Sequence, residues 1–250
     1  MPGDDGGGFF GEREAARYDE LTADMFDPAV VAPTVDLLAE LTAGGPALEL
    51  GIGTGRIALP LAERGVSVAG IDSSEPMVAR LREKPGAEDI DVAIGDFSTT
   101  RVDGEFALVY LVFNTIFNLK TQDAQVACFQ NAADHLAPGS VFVIENGVPD
   151  LQRLPFGDSI RVIGAARDRF SFDIYDVVTQ KLTSQHFFLD GERVTSWPVE
   201  GRYVWPSELD LMARLAGLTL RDRWAGWNRE PFTSVSEKHI SVWEKGRADA

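Results

Sequence analysis

Three glycines at alternate positions mark the segment of this 250-residue chain that is best suited to binding a ligand. Gly51, Gly53 and Gly55 follow a short apolar run and precede a helical pattern. Glycines at such a turn let the backbone adopt positive φ and approach a ligand closely. Arg56 stands where the dinucleotide pattern Gly-x-Gly-x-x-Gly needs its third glycine, which weakens a nicotinamide interpretation. The P-loop of phosphate-binding proteins is excluded, because no Gly-Lys-Ser or Gly-Lys-Thr follows.

Three carboxylates accompany the glycines at the ends of successive predicted strands. Glu49 lies inside the apolar end of the first strand, where a charge is costly unless it meets a cation or a hydrogen-bonding ligand. Asp72 ends the second strand about 20 residues beyond Gly51, the spacing at which an acid reaches ribose hydroxyls. Asp96 follows the third strand. Because the carboxyl ends of parallel strands meet at one edge, these residues predict a ligand-binding edge of the sheet.

An alternation of strands and helices positions these residues. Helices are predicted over 12–21, from 28 to the glycines at 44–45, over 57–63, from 75, and over 122–136, between strands at 47–50, 66–71, 90–94, 106–112 and 140–145. This alternation implies a parallel sheet with helices on both faces. Short β-rich runs follow over 160–205, with a hairpin signal at Asp190-Gly191. Ser207 is predicted to cap a last helix, and strands over 218–224 and 239–244 close the chain.

The whole chain, 1–250, is expected to form a single domain with four parts. These are an N-terminal helical lid (1–44), a cofactor-binding core (45–149), an antiparallel insertion (150–205), and a closing helix with two strands (206–250).

Composition limits the possible partners. Lys and Arg number 23 and Asp and Glu 39, a net charge of −16 that disfavours nucleic acid and anionic membranes. A single cysteine and three scattered histidines predict neither a disulfide nor a metal site. The start lacks the pattern of a secretory signal, and no apolar run is long enough for a membrane span, so we expect a soluble cytoplasmic protein.

The order of these motifs resembles the class I S-adenosylmethionine-dependent methyltransferases, from about Tyr18 to Trp243. The resemblance implies a Rossmann-like α/β fold, a seven-stranded and mostly parallel sheet with helices on both faces. It also implies that the glycine segment holds the methionine moiety, Asp72 the ribose, and Asp96 the adenine amine. S-adenosylhomocysteine is the implied product. The cofactor-binding set that follows is Tyr18, Glu49, Gly51, Gly53, Gly55, Arg56, Asp72, Ser73, Met77, Gly95, Asp96, Phe97, Leu111 and Phe113.

Within that family, the chain is most similar to N-methyltransferases of amino sugars and lincosamide antibiotics in bacterial secondary metabolism. These enzymes share the pair Tyr18-Asp19, which folds over the cofactor, and an antiparallel insertion after strand five that covers the substrate or builds an oligomer. The resemblance makes Tyr18, Phe117 and Asn118 the candidate catalytic residues. Histidine often stands at the position of Asn118 in amino-sugar enzymes, and asparagine cannot act as a base.

Methyl transfer to a small molecule is therefore expected, with an amine nitrogen favoured over oxygen. An amine can attack without a strong base, whereas a hydroxyl usually needs one. An O-methyltransferase, a catalytically silent cofactor-binding protein and a nicotinamide oxidoreductase remain alternatives. His186 and Tyr203 are possible bases, Trp197 is a candidate for an aromatic pocket, and Phe9 and Phe10 are candidates for a lid. A homo-oligomer is possible.

Overall fold

A computed structural model describes residues 11–191 and 193–247 of the chain. Phe9 and Phe10, assigned above to a lid, lie outside the described residues.

A seven-stranded sheet forms the centre of the fold, in the order β10-β11-β5-β4-β1-β2-β3. Neighbouring strands from β3 to β5 pair in parallel, and β11 runs antiparallel to both of its neighbours. The fold class expected from the sequence is thus confirmed. The strands are β1 (Ala47–Leu50), β2 (Val68–Asp72), β3 (Asp91–Ile94), β4 (Phe106–Leu111), β5 (Leu136–Gly147), β10 (Leu218–Trp224) and β11 (Lys238–Lys245).

Within the described residues six α-helices accompany the strands, and three of them start where the sequence predicts a cap. The side chains of Asp27, Ser74 and Thr121 each accept a hydrogen bond from a backbone N–H of the first turn. The predicted cap at Ser207 is wrong, because its helix begins at Pro206 with Trp205 at the N-cap position. Proline favours that first position, since its ring fixes φ and it has no N–H to satisfy. The helices are α1 (Glu12–Leu21), α2 (Pro28–Leu41), α3 (Ala58–Glu63), α4 (Glu75–Arg82), α5 (Gln122–His135) and α6 (Pro206–Leu215).

Strand β5 begins four residues earlier than the sequence predicts. Pro138 and Gly139 interrupt α5 in the prediction, but they lie inside the strand. The register between β4 and β5 shifts here, from Phe106 opposite Leu136 to Leu108 opposite Val141. The proline and the glycine are therefore accommodated in an irregularity of the ladder, where a missing N–H and a positive φ are tolerated.

A second, antiparallel sheet follows β5, in the order β6-β7-β8-β9. The hairpin predicted at Asp190-Gly191 joins β8 to β9, with Gly191 at a φ of +61°. We call these four strands the second sheet. They are β6 (Ile160–Ala165), β7 (Arg169–Tyr175), β8 (Lys181–Asp190) and β9 (Arg193–Arg202).

Apolar cores cover both faces of the seven-stranded sheet. Val109 and Leu108, neighbours on β4, belong to opposite cores because successive side chains of a strand point to opposite faces. Around one core, the Phe129 ring meets those of Phe142 and Trp243 edge to face, at centroid distances of 5.1 and 5.3 Å. Each such buried side chain contributes about 1.5–3 kcal/mol of hydrophobic free energy. No helix in the described part of the chain has the length and apolar character needed to cross a bilayer.

Candidate functional site

A cavity of about 690 Å³ lies between the carboxyl edge of the seven-stranded sheet and the second sheet, and we call it the central cavity. The carboxyl edge and α1 supply one wall, and the second sheet supplies the other. The first wall contains Tyr18, Thr22, Gly51, Gly53, Asp72, Ser73, Met77, Phe97, Phe113, Asn114, Thr115, Phe117, Asn118 and Lys120. The second contains Arg169, Ser184, His186, Phe188, Trp197, Val199 and Glu200.

The glycine segment forms the floor of the first wall. Gly51, Gly53 and Gly55 all have positive φ, at +72°, +55° and +80°. A Cβ on Gly51 would lie 2.6 Å from the Cγ2 atom of Thr115 across the cavity floor. A Cβ on Gly55 would instead lie 2.3 Å from a methyl group of Leu81. Gly51 therefore permits close packing of Thr115 at the cavity floor, and Gly55 permits close packing of Leu81 behind the loop.

Asp72 connects the end of β2 to the glycine segment. Its Oδ2 accepts a hydrogen bond of 2.7 Å from the N–H of Gly53, and its Oδ1 one of 2.8 Å from the N–H of Ser74. Burial raises the pKa of this carboxyl, and the backbone hydrogen bonds oppose that shift. Ser73 and Met77 line the cavity beside it. The carboxylate is thus fixed at the cavity wall with lone pairs left to receive hydroxyl groups.

Glu49 lies behind the glycine segment and does not line the central cavity. It is almost fully buried, and the hydroxyl of Tyr110 donates to its Oε2 over 2.9 Å. Burial raises its pKa to about 8, while the Tyr110 hydrogen bond, Arg56 and the N–H of Ala58 lower it. Since Ala58 opens α3, this carboxyl braces the start of that helix behind the loop.

The N-terminal helix is attached to the glycine segment through Asp19. Its Oδ1 accepts a 2.7 Å hydrogen bond from the Thr54 hydroxyl, and its Oδ2 pairs with the Lys84 ammonium at 2.6 Å. These contacts place the neighbouring Tyr18 in the cavity wall. Burial raises the pKa of Tyr18, so its phenol remains protonated at neutral pH.

Arg56 lies on the outer side of the loop and does not line the central cavity. Its Nη1 donates to the Met25 carbonyl over 3.3 Å, and its guanidinium lies 5.1 Å from the centre of the Phe113 ring. Arg56 therefore connects the glycine segment to the N-terminal segment and to the end of β4.

The segment after β3 reaches the cavity through Phe97. Gly95 packs against Thr100, whose Oγ1 would lie 2.2 Å from a Cβ at that glycine. Asp96 is exposed beside it, and its Oδ1 accepts a 2.8 Å hydrogen bond from the N–H of Ser98. Asp96 does not line the central cavity, and neither does Leu111, which is fully buried in the core.

The turn after β4 carries backbone strain at the cavity. Phe113 and Asn114 both have a φ of +58°, which costs roughly 1–2 kcal/mol for each residue that is not glycine. The Asn114 side chain accepts a hydrogen bond from the N–H of Gly147, and the N–H of Phe113 donates to Glu145 over 3.1 Å. These contacts hold the 3₁₀ turn Thr115–Asn118 at the cavity wall.

Phe117 and Asn118 lie in that 3₁₀ turn, where the second sheet approaches closely. A Cβ on Gly201 of β9 would lie 2.2 Å from the carbonyl oxygen of Phe117 and 2.5 Å from its ring. The absence of a side chain at Gly201 therefore sets the position of Phe117 between the two walls.

The sequence analysis did not select most of the residues of the second wall. His186 and Trp197 were noted there, but Arg169, Ser184 and Phe188 were not. A period-two selection on β8 (Ser184, His186, Phe188) was the available signal, because alternate residues of a strand share one face. Tyr203 lies elsewhere, in a second cavity of about 530 Å³. No group of three His, Cys, Asp or Glu residues suited to a metal ion occurs within residues 11–191 and 193–247.

Proteins named as methyltransferases resemble this chain, two of them along nearly its whole length. Residues 47–139 match the sequence model of a family described as methyltransferase domain. The solved CcbJ methyltransferase from Streptomyces caelestis matches with a TM-score of 0.84 and 35% identity, over 96% of this chain and 99% of that one.

Two further relatives match in sequence. Cypemycin N-terminal methyltransferase from a Streptomyces species is 27% identical over 238 residues, which are 91% of this chain and 97% of that protein. The dTDP-3-amino-3,4,6-trideoxy-alpha-D-glucopyranose N,N-dimethyltransferase of Streptomyces venezuelae is 30% identical over 98 residues, 39% of this chain and 40% of its own.

Proposed function

Because this chain belongs to the S-adenosylmethionine-dependent methyltransferases, we propose that it methylates an amine nitrogen of a small molecule. It is an enzyme whose cofactor is S-adenosylmethionine, with S-adenosylhomocysteine as the product left behind. The observation that carries the proposal is the central cavity. One of its walls is the carboxyl edge of the sheet, with glycines and a carboxylate suited to a nucleoside, and the opposing wall consists of aromatic and polar side chains.

The residues of the carboxyl edge fit this cofactor. Gly51 and Gly53 line the cavity without side chains, so a ligand can approach their backbone closely. Asp72 offers carboxylate lone pairs at the end of β2, which is the position where an acid binds ribose hydroxyls in folds of this kind. Phe97 and Met77 offer apolar surface beside it for a flat ring.

The other predicted cofactor residues remain proposals with different roles. Gly55 and Gly95 act through close packing, and Glu49 and Arg56 act from behind the loop. We assign Asp96 to the adenine amine from its exposed carboxylate at the end of β3.

The bound cofactor supplies a methyl group activated by a positive sulfur, so this chain mainly has to align the attacking nitrogen. Alignment of reacting groups lowers a barrier by roughly 7–11 kcal/mol. Tyr18, Phe113 and Phe117 present aromatic surface from the first wall, and Phe117 is held in place by Gly201. Asn118 offers an amide that orients an acceptor without removing its proton.

Charge and aromatic surface both favour an amine. The chain carries a net charge of −16, although in the cavity wall Asp72 and Glu200 are matched by the cations Lys120 and Arg169. Such a field draws a cationic amine toward the protein, and aromatic faces attract ammonium groups. Two relatives are named for methylation at nitrogen, one at an N-terminus and one on an amino sugar.

Incubation with deuteromethyl-labelled S-adenosylmethionine and paired acceptors tests the proposal. Each pair contains an amine and the matching hydroxyl compound: an amino sugar against its parent sugar, and a peptide with a free N-terminus against its hydroxy-acid analogue. We expect a labelled methyl group on nitrogen, located by fragmentation in a mass spectrometer. Label on oxygen alone, or no label on any amine while S-adenosylhomocysteine binds tightly, contradicts the proposal.

We also propose that a second copy of this chain covers the outer face of the second sheet. That face exposes apolar side chains, including Val162 and Phe170, and the Phe172 ring stacks on Phe187 at 6.0 Å. Sedimentation of the Phe170→Glu variant tests this: we expect a smaller assembly than the wild type. The control is Leu215→Glu, an exposed position on α6. A monomeric wild type contradicts the proposal.

A further inference from the structure

His186 is the side chain of the second wall that is best placed to exchange a proton with an acceptor. It lies in the middle of β8, opposite Ser171 on β7 and Trp197 on β9. It is partly buried and lines the central cavity together with the glycine segment and Phe117. An acceptor located between the two walls therefore has this imidazole within the same enclosure.

A hydrogen bond fixes the imidazole ring. Its Nδ1 lies 2.9 Å from the hydroxyl oxygen of Ser171, which is itself almost fully buried. When the Nδ1–H donates to that oxygen, the lone pair of Nε2 is left for a proton. A serine hydroxyl can also donate to Nδ1, so the proposal requires the arrangement in which Ser171 accepts and Nε2 is free to act as a base.

The surroundings keep this imidazole neutral before the reaction. Burial lowers the pKa of His186, and Arg169 on the same face of β7 lowers it further, while Asp173 opposes the shift. Trp197, its neighbour on β9, carries no charge. A neutral imidazole can take up a proton, whereas one already protonated at working pH cannot.

The other ionisable groups in the described cavity wall are unsuited to this task. Tyr18 keeps its phenolic proton because burial raises its pKa. Asp72 already accepts two backbone hydrogen bonds on the cofactor side, and Glu200 pairs with Lys181 at 3.2 Å. The remaining charged groups are the cations Lys120 and Arg169.

We propose that His186 accepts the proton of the acceptor ammonium before methyl transfer, an assignment that rests on the proposed function. An alkylammonium transfers one proton to Nε2, which gives a neutral amine and an imidazolium. The nitrogen lone pair forms the N–CH₃ bond while the C–S bond breaks, and its electron pair stays on sulfur. The product is a methylammonium and a neutral thioether, and the imidazolium proton leaves to solvent. Asn118 does not need to act as a base in this scheme.

The pH dependence of kcat/KM in the His186→Gln variant tests the role. The probes are the amino sugar and the free N-terminal peptide of the acceptor screen. We expect kcat/KM at pH 7 to fall at least about 10²-fold, the lower range for a lost general base. The loss should shrink toward pH 10, where the amine loses its proton to solvent. Added imidazole should partly restore the His186→Ala variant.

Two controls separate a proton-accepting role from a structural one. The affinity for S-adenosylhomocysteine should stay within about 2-fold of the wild type, because His186 lies opposite the cofactor side. Gln185→Ala, the neighbour on β8 whose side chain belongs to the opposite face, should keep the wild-type pH profile. Ser171→Ala, at a positioning residue, should reduce kcat/KM about 10-fold and reduce the Nδ1–H tautomer.

Ring ¹⁵N shifts of the complex with S-adenosylhomocysteine give a measurement that needs no acceptor. We expect His186 to carry its proton on Nδ1 at pH 7, and an Nε2–H tautomer or an imidazolium overturns the assignment. N-methylation that persists in His186→Gln with the wild-type pH profile also overturns it and leaves the proposed function intact. A screen without any N-methylated product rejects the proposed function, and the assignment of His186 with it.

Discussion

The two sheets of this protein differ in burial and in what their side chains do. All four residues of β1 in the seven-stranded sheet are buried, whereas four of the six residues of β6 in the second sheet are exposed. The seven-stranded sheet is covered by helices on both faces. The second sheet turns a face of polar and aromatic side chains, among them Ser184, His186 and Trp197, toward the central cavity, and it exposes apolar side chains on the other face.

A transferase has to bind its cofactor and to select its acceptor, and the difference between the two sheets suits each of them to one of these tasks. The seven-stranded sheet presents backbone and one carboxylate at its edge, and its double core fixes both. The second sheet presents side chains, which can change without disturbing that core. We therefore place cofactor binding on the first sheet and acceptor choice on the second, and variants that affect one task without the other test this division.

The largest expected effect comes from removing the carboxylate at the edge of the first sheet. Asp72→Ala loses the acceptor of the Gly53 and Ser74 N–H groups and the proposed ribose ligand. The two proposed hydrogen bonds from the ribose hydroxyls to this carboxylate are charge-assisted and contribute about 1.5–3 kcal/mol each. Their loss predicts at least roughly a 10²-fold weaker affinity for S-adenosylhomocysteine. Titration calorimetry measures it.

The control for that variant is Asp91→Ala, which removes an exposed carboxylate from β3. It should leave the affinity unchanged. An Asp72→Ala protein that binds as tightly as the wild type removes Asp72 from the cofactor site and ends the proposed division of tasks.

A second variant breaks the contact between the two sheets. Gly201→Ala places a Cβ 2.2 Å from the carbonyl oxygen of Phe117, so the 3₁₀ turn or β9 has to move. Misplacing an aligning group by about 1 Å costs up to about 10²-fold in rate, and we expect a fall of about 10-fold in kcat with little change in cofactor affinity. Single-turnover methylation measures the rate.

Gly164→Ala on β6 is the matched control for that variant. Its added Cβ meets no atom closer than 3.9 Å, from the side chain of Ser171. We expect wild-type kcat there. Equal rates in both glycine variants show that the position of Phe117 does not limit methyl transfer.

The sequence predicts the first sheet far better than the second, for physical reasons. The glycines, Asp72 and the caps at Ser74 and Thr121 are determined by local backbone geometry, which leaves a motif in the chain. Period-two alternation groups Phe188 with His186 on one face of β8, but its meeting with Arg169 at the cavity depends on the pairing of β7 with β8, which no local pattern specifies. Long-range packing also explains why Glu49, selected as a ligand, lies behind the loop with Tyr110.

Glu49 is buried in the first sheet, and its raised pKa predicts that the free energy of unfolding depends on pH. Its pKa is raised from 4.5 to about 8 on folding, so between these pH values the folded state binds more protons than the unfolded state. The free energy of unfolding contributed by this group therefore falls as pH rises from 4.5 to 8. Glu49→Gln should remove that fall, measured by denaturant unfolding at several pH values.

Tyr110→Phe should change the pH dependence of stability in the opposite direction to Glu49→Gln. The Tyr110 hydroxyl lowers the pKa of Glu49, so its removal should extend the fall in stability to higher pH. An unchanged pH dependence in Glu49→Gln shows that Glu49 is ionised in the folded protein and pairs more strongly than its burial indicates.

The smallest expected effect concerns the attachment of α1 to the first sheet. Asp19→Asn weakens a partly exposed ion pair with Lys84 and a hydrogen bond from Thr54. Such contacts contribute about 1 kcal/mol together, so we expect a 2- to 10-fold loss of cofactor affinity and faster amide hydrogen exchange over 12–21. The control is Asp24→Asn, in the exposed part of the following 3₁₀ turn.

The two measurements on Asp19→Asn distinguish a lid from a fixed wall. If α1 closes over the cofactor, hydrogen exchange in this helix should slow when S-adenosylhomocysteine binds, and more in the wild type than in the variant. Exchange that ligand binding leaves unchanged means that α1 is a permanent part of the cavity. Tyr18 would then line the site without moving.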